Sequence, residues 1–222
     1  VVNELIREAL YPYPEGLVLV SKVGARRDDR GRILAYDQPA QLRRGIEDNL
    51  STLGIDSLPV VNLRLIRSAP DAFFDDQLAA MISARDHGLI AAVGLSNVTL
   101  SQLLHALEFV EVACVQNAYH LADRRSQPVL DECARRGIAF VPFAPLGSGA
   151  AGPGSVIDAP QVVRVAARLA AQPAQVALAW ILHAAADTLL IPGTASRAHL
   201  RQNLRASTLR LDAEAIRELS DV

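Results

Sequence analysis

The chain has 222 residues, half of them hydrophobic, with a formal net charge of -2 at pH 7 and a pI of about 6.2. This length allows one large domain or two small ones, and the apolar half is enough for a sizeable core. The near-neutral charge, without any polybasic run, excludes binding to nucleic acid through phosphate neutralisation and docking on an anionic membrane surface.

Predicted strands and helices alternate along the whole chain. Short apolar runs predict strands, and apolar residues three or four positions apart predict helices. Strands are expected at 17–22, 58–63, 90–95, 112–116, 138–143 and 188–191, and helices at 2–10, 41–53, 73–87, 99–110, 126–136, 160–171, 173–184, 197–206 and 212–221. The polar residues 24–39 are expected to form a long loop.

The strands are apolar on both faces, which is typical of a parallel sheet covered by helices. Two α/β architectures fit this alternation, an open doubly wound sheet and a (β/α)8 barrel of the TIM type. The turn Gly-x-Gly-x-x-Gly of dinucleotide-binding open sheets follows none of the strands, which favours the barrel. Because no linker interrupts the chain, we expect one domain over residues 1–222.

The first predicted helix starts almost at Val1, without a cap before it. Six strands are two fewer than a barrel requires. We therefore expect that an N-terminal portion, the first βαβ unit of the barrel, is absent from this sequence.

Lys22 is the only lysine in the chain and stands at the end of the first predicted strand. A buried lysine can have its pKa lowered into a useful range, whereas an arginine stays protonated. A strand-end lysine that extends into solvent is the ordinary alternative.

Polar groups follow the later strands, at the edge where active sites of parallel α/β folds form. Ser96, Asn97 and Gln116 offer hydroxyl and amide groups that suit a planar carboxamide. Phe143 offers a flat apolar face for stacking on an aromatic ring.

Two further segments suit phosphate groups. Residues 145–149 are rich in Gly and Ser, so that backbone N–H groups can approach a pyrophosphate. Thr194, Ser196 and Arg197 lead into a helix N-terminus, which favours a phosphate. Together with the preceding groups, these segments predict a nicotinamide dinucleotide lying across the mouth of the barrel.

At this point the chain resembles the aldo-keto reductase family. The resemblance rests on stretches that occur in the family's order: Ser21-Lys22-Val23-Gly24, Val60-Val61-Asn62-Leu63-Arg64, Val93-Gly94-Leu95-Ser96-Asn97-Val98, Val115-Gln116-Asn117, Val141-Pro142-Phe143-Ala144-Pro145-Leu146-Gly147-Ser148, residues 173–180, and Ile191-Pro192-Gly193-Thr194 with Leu200-Arg201-Gln202-Asn203-Leu204. They cover essentially the whole sequence.

The resemblance implies a barrel that reduces aldehydes or ketones with NAD(P)H, and Lys22 as the family's active-site lysine. The cofactor contacts that it implies are Ser96, Asn97 and Gln116 for the carboxamide, Phe143 for stacking, Leu146 and Ser148 for the pyrophosphate, and Thr194, Arg197, Gln202 and Asn203 for the 2'-phosphate and adenine. The cation at Arg197 favours NADPH, with NADH as an alternative.

Two departures from the family pattern stand out. The family's catalytic tetrad is Asp, Tyr, Lys and His, and its Asp and Tyr would precede Val1. The position of the histidine is taken by Arg64. Tyr119 and His120 follow the fourth predicted strand, and each is interpreted as either a packing residue or part of a substrate pocket.

Arg64 can donate two hydrogen bonds to a carbonyl oxygen and stabilise a developing alkoxide, but it cannot relay a proton. It would also lower the pKa of Lys22. A simple ion pair with an acidic neighbour is the alternative. The form Val-Val-Asn-Leu-Arg resembles a bacterial subgroup similar to pyridoxal reductases, which suggests an aldehyde such as pyridoxal.

The sequence thus predicts an NADPH-dependent aldo-keto reductase whose partner is a small carbonyl substrate. The alternative is a catalytically inactive barrel that binds nucleotide as a sensor or interaction module. Cys114 and Cys133 lack a metal-binding or redox spacing, so we expect reduced core thiols, no metal site and a cytoplasmic location.

Overall fold

The computed structural model describes residues 2–66, 71–147 and 155–222. Contacts divide the chain into two compact units, Val1–Val115 and Gln116–Val222. The expectation of a single domain over residues 1–222 stays a prediction.

The first unit carries a mostly parallel sheet with helices between its strands. Its elements are α1 (Val2–Leu10), β1 (Val20–Arg27), β2 (Ile33–Tyr36), α2 (Pro39–Leu53), β3 (Leu58–Arg64), α3 (Asp71–Asp86), β4 (Ile90–Ser96), α4 (Leu100–Ala106) and β5 (Val112–Gln116). The strand order is β2-β1-β3-β4-β5. Strands β1, β3 and β4 pair in parallel, and β2 pairs antiparallel to β1.

Helix α2 shows why these segments adopt their structure. Its buried side chains Leu42, Ile46 and Leu50 recur every four residues and form one apolar face. Pro39 starts the helix, where its missing N–H costs nothing. Gly54 ends it in a left-handed conformation with φ of 70°, which a glycine adopts without strain.

The predicted loop at 24–39 is wrong, because β1 extends to Arg27 and forms a hairpin with β2. The carboxylate of Asp28 accepts hydrogen bonds from the backbone N–H groups of Arg30 and Arg32 and builds the turn. Only Val20–Val23 pairs with β3. Lys22 therefore lies at the end of the parallel part of β1, and not at the end of the strand.

The second unit is mainly helical. Its elements are α5 (Gln127–Arg136), β6 (Ala139–Phe140), α6 (Pro160–Arg168), α7 (Pro173–Ala184), α8 (Arg197–Arg205) and α9 (Ala213–Ser220), with short 3-10 helices at Val156–Asp158 and Ala206–Thr208. Helix α7 lies in the core, and its residues 176–181 are all buried.

Two strand predictions in this unit are wrong in extent. The segment 138–143 forms only the two-residue strand β6, since Pro142 has no N–H to donate to a ladder. The segment 188–191 makes one isolated bridge between Thr188 and Phe140. Leu189 and Ile191 are 58% and 48% exposed, so this segment is not the buried strand that its apolar residues suggested.

An aromatic cluster of Tyr119, Phe140 and Trp180 forms part of the core of the second unit. The Tyr119 and Trp180 rings stack with centroids 5.7 Å apart, and Phe140 meets Tyr119 edge-on at 5.9 Å. Such pairs add stability beyond the area that they bury.

No single helix within residues 2–66, 71–147 and 155–222 is long and apolar enough to cross a membrane, although α6 and α7, bent by 95°, have the length and composition to do so as a pair. Within the same ranges, no group of three or more His, Cys, Asp and Glu residues is placed to hold a metal ion.

Candidate active site

The parallel pairing of three strands aligns the residues of the candidate active site. Lys22 on β1 is in register with Asn62 on β3, and Asn62 is in register with Gly94 on β4. Residues paired in this way point to the same face of a sheet, and so do residues two apart on one strand. Arg64, which pairs with Ser96, therefore faces the same side as Asn62.

Asn62 links β3 to β5 through its side chain, which is 1% exposed. Its Oδ1 accepts a hydrogen bond from the Sγ of Cys114 on β5, at 3.2 Å. A Cβ on Gly94 would lie 1.9 Å from that oxygen and 3.0 Å from the sulfur. Only glycine at position 94 leaves room for this contact. We call Lys22, Asn62, Gly94 and Cys114 the polar row.

Lys22 is part-buried, and its pKa is lowered from 10.5 to about 8. Burial is the main cause, because it penalises the charged ammonium, and the positive charge of Arg64 adds to it. The predicted effect of Arg64 on Lys22 is thus confirmed, although burial contributes more. Burial also raises the pKa of the Cys114 thiol, while Lys22 and the hydrogen bond to Asn62 act in the opposite direction.

Arg64, the last residue of β3, is half-buried, and its guanidinium makes no hydrogen bond or ion pair with the residues that the structure describes. The alternative of a simple ion pair is therefore not seen in this part of the chain. The pKa of Arg64 is lowered by burial and by the charge of Arg27. Gly24, with φ of 107°, lets β1 pass close to Arg64, since a Cβ there would lie 2.2 Å from the carbonyl oxygen of Arg64.

Ser96 and Asn97 follow on the end of β4. Ser96 is 1% exposed, and its Oγ is one of two buried side-chain polar atoms in the described chain without a hydrogen-bond partner. The side-chain amide of Asn97 donates to the carbonyl oxygen of Leu65 at 2.7 Å, and φ of 62° places Asn97 in the left-handed region that asparagine tolerates. A buried hydroxyl without a partner fits a ligand amide that would hydrogen-bond to it.

In the second unit, Gln116 is buried and Phe143 is partly exposed. The backbone N–H of Phe143 donates to the carbonyl oxygen of Asn117 at 3.0 Å, which ties the two segments together. Leu146 lies three residues beyond Phe143 and is also partly exposed. Ser148 lies outside the described residues.

The predicted phosphate segment forms the start of helix α8. Ser196 caps this helix, and its Oγ accepts from the N–H of His199 at 3.3 Å, while Thr194 Oγ1 accepts from the N–H of Ser196 at 3.0 Å. Arg197 is exposed at the first position of α8, and Gln202 and Asn203 are partly exposed near its end.

Tyr119 and His120 are placed as packing residues. Tyr119 is 1% exposed within the aromatic cluster. His120 is also 1% exposed, and it exchanges two backbone hydrogen bonds with Asp123 in a tight turn. Burial lowers the pKa of His120, which favours a neutral ring.

The sequence pointed to Lys22 and Arg64 as site residues but not to Asn62, Gly94 and Cys114 of the polar row. Cys114 was interpreted only as a core thiol. The signal for Asn62 was available, since an asparagine in an otherwise apolar strand is costly unless it has a partner. The contact of Asn62 with Cys114 joins residues 52 positions apart. The spacing of residues along the chain does not reveal such a contact.

The sequence profile of the aldo/keto reductase family matches residues 2–222. The chain therefore belongs to the aldo/keto reductase family, whose members are oxidoreductases. It is 42% identical to pyridoxine 4-dehydrogenase of Escherichia coli over 226 residues, which cover all of this chain and 77% of that protein. It is 35% identical to an uncharacterized oxidoreductase of Schizosaccharomyces pombe, over all of this chain and 70% of that protein.

Solved structures agree with this assignment. The aldo-keto reductase Tm1743, solved with the inhibitor epalrestat, superposes with a TM-score of 0.82 at 25% identity, over 99% of this chain and 76% of that one. An aldo-keto reductase of Klebsiella pneumoniae, solved with NADPH, gives a TM-score of 0.80 at 24% identity, over 99% of this chain and 74% of that one. The predicted fold class, an α/β barrel, is confirmed.

Proposed function

We propose that the protein reduces the carbonyl group of an aldehyde or ketone to an alcohol, with NADPH as cofactor and pyridoxal as a substrate. The observation that carries the proposal is the position of Lys22. Its ammonium is desolvated, has a pKa of about 8, and lies in register with the buried Asn62 beside the cation of Arg64. A strand-end lysine that merely reaches into solvent would keep an ordinary pKa.

The nicotinamide cofactor, when bound, supplies the hydride. The chain's own groups would then act on the carbonyl oxygen, where negative charge develops. Arg64 would donate hydrogen bonds to that oxygen and stabilise the alkoxide. It would not supply the proton, since a guanidinium stays protonated.

The proton would come from a tyrosine hydroxyl. The family resemblance places this tyrosine, together with an aspartate, on a segment that precedes Val1. In that arrangement Lys22 would lower the pKa of the tyrosine through its positive charge. Activity then depends on the preceding segment as well as on Lys22 and Arg64.

The cofactor contacts that the family resemblance implies are kept as proposals. Ser96 and Asn97 are assigned to the carboxamide, and the unpartnered Ser96 hydroxyl supports that role. The remaining assignments are Gln116 to the carboxamide, Phe143 to stacking, Leu146 and Ser148 to the pyrophosphate, and Thr194, Arg197, Gln202 and Asn203 to the 2'-phosphate and adenine. The N-terminus of α8 with the exposed Arg197 favours a phosphate there, and hence NADPH over NADH.

Pyridoxal is proposed because of the relative named pyridoxine 4-dehydrogenase. Dehydrogenation of pyridoxine at the position 4 given in that name yields the aldehyde pyridoxal. Reduction of pyridoxal is the reverse reaction. A cytoplasmic location is also proposed, since Cys114 and Cys133 are buried and form no disulfide.

The test uses the complete gene product. NADPH oxidation is followed by absorbance with pyridoxal and a panel of simpler aldehydes, for the wild type and for Lys22→Met, and NADPH binding is measured by fluorescence. We expect turnover by the wild type and a loss of at least ~100-fold in Lys22→Met with unchanged binding. Binding without turnover in the wild type would overturn the proposal in favour of an inactive nucleotide-binding barrel. Equal turnover by both proteins would overturn the role of Lys22.

A further inference from the structure

The end of β3 and the adjacent hairpin carry positive charge that the described residues do not neutralise. The guanidinium of Arg64 has no hydrogen bond or ion pair there, and the guanidinium of Arg27 donates only to the backbone carbonyl of Gly31, at 2.6 Å. The nearby carboxylate of Asp28 is already bound to Arg32, with an N–O distance of 2.7 Å. Two guanidinium groups therefore lack a counter-charge within the described part of the chain.

Arg27 also acts on Arg64 through its charge. The charge of Arg27 lowers the pKa of Arg64, and the charge of Arg64 lowers the pKa of Lys22. A third cation thus belongs to the same region. An aspartate on a preceding segment, which the family resemblance places beside Lys22, would neutralise at most one of the two guanidinium charges.

A partly buried charge without a partner costs free energy. Such a charge is retained at low cost when a ligand supplies the opposite charge. Arginine is suited to this role, because its planar group presents parallel N–H donors that match two oxygens at once. Arg64 pairs in register with Ser96, and it lies two residues from Asn62 on the same face of the sheet.

We propose that Arg64, assisted by Arg27, binds an anionic oxygen of the substrate, so that the enzyme prefers carbonyl compounds with a negatively charged oxygen next to the carbonyl group. The inference rests on the proposed function and extends it from carbonyl compounds in general to this class. One N–H of Arg64 would bind the carbonyl oxygen and the other the anionic oxygen.

Two kinds of compound carry this chemistry. In an aromatic aldehyde such as pyridoxal, the neighbouring ring hydroxyl is ionised at neutral pH and lies beside the carbonyl oxygen. In a 2-keto acid, the carboxylate is directly bonded to the carbonyl carbon. Both present two oxygens on the same side of the molecule, one of them charged.

The experiment compares matched substrates with the complete gene product and NADPH. One pair is pyridoxal and its 3-O-methyl ether, and the other is phenylglyoxylate and its amide. Each pair differs in the charge beside the carbonyl. The ether also adds a methyl group there, whereas phenylglyoxylate and its amide have nearly the same shape. Values of kcat and KM are measured for the wild type, Arg64→Gln, Arg64→Lys and Arg27→Gln, with Arg30→Gln as a control that removes an exposed arginine of the same hairpin.

We expect the wild type to favour the charged member of at least one pair by about 10- to 100-fold in kcat/KM, the usual worth of a charge-assisted hydrogen bond. The pair that shows it identifies the anion as a phenolate or a carboxylate. Arg64→Gln should reduce the preference to less than about 3-fold, mainly through KM, and Arg64→Lys should retain part of it. Arg27→Gln should weaken it less, and Arg30→Gln should leave it unchanged.

A wild type that reduces both members of both pairs equally would overturn the inference and leave the proposed function intact. A preference that persists in Arg64→Gln would also overturn it. Failure of the wild type to reduce any of the four compounds would instead count against the proposed function. Should Arg64→Gln lose all turnover, calorimetric binding of pyridoxine and its 3-O-methyl ether decides, because the variant must then bind both about equally.

Discussion

In the second unit, the aromatic cluster gives the polar groups around it a partner. The hydroxyl of Tyr119 donates to Gln127, and the guanidinium of Arg124 lies 4.7 Å from the centre of the Trp180 ring while it donates to two backbone carbonyls. The first unit differs. There the Oγ of Ser96 is buried without a partner and Arg64 has no ion pair among the described residues.

This difference separates polar groups that stabilise the fold from polar groups that can bind a ligand. A buried polar group whose hydrogen bonds are complete holds the fold together, whereas one that stays incomplete lowers stability unless a ligand completes it. We therefore expect substitutions in the aromatic cluster to change stability without changing chemistry. Substitutions at the ends of β3 and β4 should do the reverse. Thr188 of the second unit, whose Oγ1 is also unpartnered, provides a control.

The largest expected effect on stability is at Trp180. Trp180→Ala removes a side chain that is 7% exposed, together with its stack on Tyr119. We expect a loss of about 3–5 kcal/mol in the free energy of unfolding, measured by denaturant titration. Trp180→Phe keeps an aromatic ring and should lose less than half as much. A loss below ~1 kcal/mol in Trp180→Ala would contradict a packing role for the cluster.

The substitution Gly94→Ala tests the contact between Asn62 and Cys114 in the polar row. The Cβ of Gly94→Ala would overlap the Oδ1 of Asn62 at 1.9 Å, so the amide must move and its contact with Cys114 is lost. We expect a loss of about 2–3 kcal/mol in unfolding free energy. Gly193→Ala is the matched control, because a Cβ at Gly193 would meet nothing within 4 Å.

The double variant Gly94→Ala with Asn62→Ala sharpens the same test. Removal of the Asn62 amide makes room for the new methyl group, so Gly94→Ala should cost clearly less in this background than alone. Additive losses would show that the strain at Gly94 does not arise from Asn62.

Lys22 should make stability depend on pH. Its pKa is about 8 in the folded protein and 10.5 is the ordinary value, so between these values the unfolded chain holds more protons than the folded one. Stability then rises with pH in that range, and below pH 8 the full cost of the buried charge is present. Because Lys22 is partly exposed, we expect a gain of about 1–2 kcal/mol between pH 7 and pH 10.

The measurement compares unfolding free energies of the wild type and Lys22→Met at pH 7, 8, 9 and 10. The difference between the two proteins reports Lys22 together with its charge interaction with the Cys114 thiol, since the other titratable groups are common to both proteins. A difference that stays flat from pH 7 to pH 10 would contradict the lowered pKa.

Part of this organisation is readable from the sequence. The helix α2 and the strands β3 and β4 were predicted to within two residues, since their apolar spacing and terminal Pro39 and Gly54 are local signals. Lys22 was singled out because it is the only lysine and ends an apolar run. These features depend on neighbours in the chain.

The rest depends on contacts that are distant in the chain. The β1–β2 hairpin was missed because its turn relies on side-chain bonds from Asp28 within a polar stretch that looks like a loop. The segment 188–191 is apolar but finds only a single bridge. The contact of Asn62 with Cys114, and the lack of a partner for Ser96, follow from register and burial, which local spacing does not encode.

The smallest expected effect on stability is at Ser96, where we expect the largest difference between the effect on stability and the effect on cofactor binding. Its Oγ makes no hydrogen bond with the described chain, so Ser96→Ala should change the unfolding free energy by less than ~0.5 kcal/mol. If the hydroxyl binds the cofactor's carboxamide, the same variant should weaken NADPH binding about 10-fold, the loss of one hydrogen bond, as measured by fluorescence titration.

Thr188→Val is the matched control, since it also removes a buried, unpartnered hydroxyl. Its effect on stability should be equally small, but its affinity for NADPH should equal that of the wild type. Equal affinities in Ser96→Ala and the wild type would remove Ser96 from the cofactor site. Equal weakening in both variants would show that the change in affinity does not come from a contact at Ser96. Only a loss of NADPH affinity confined to Ser96→Ala supports the view that the unpartnered polar groups of the first unit bind a ligand.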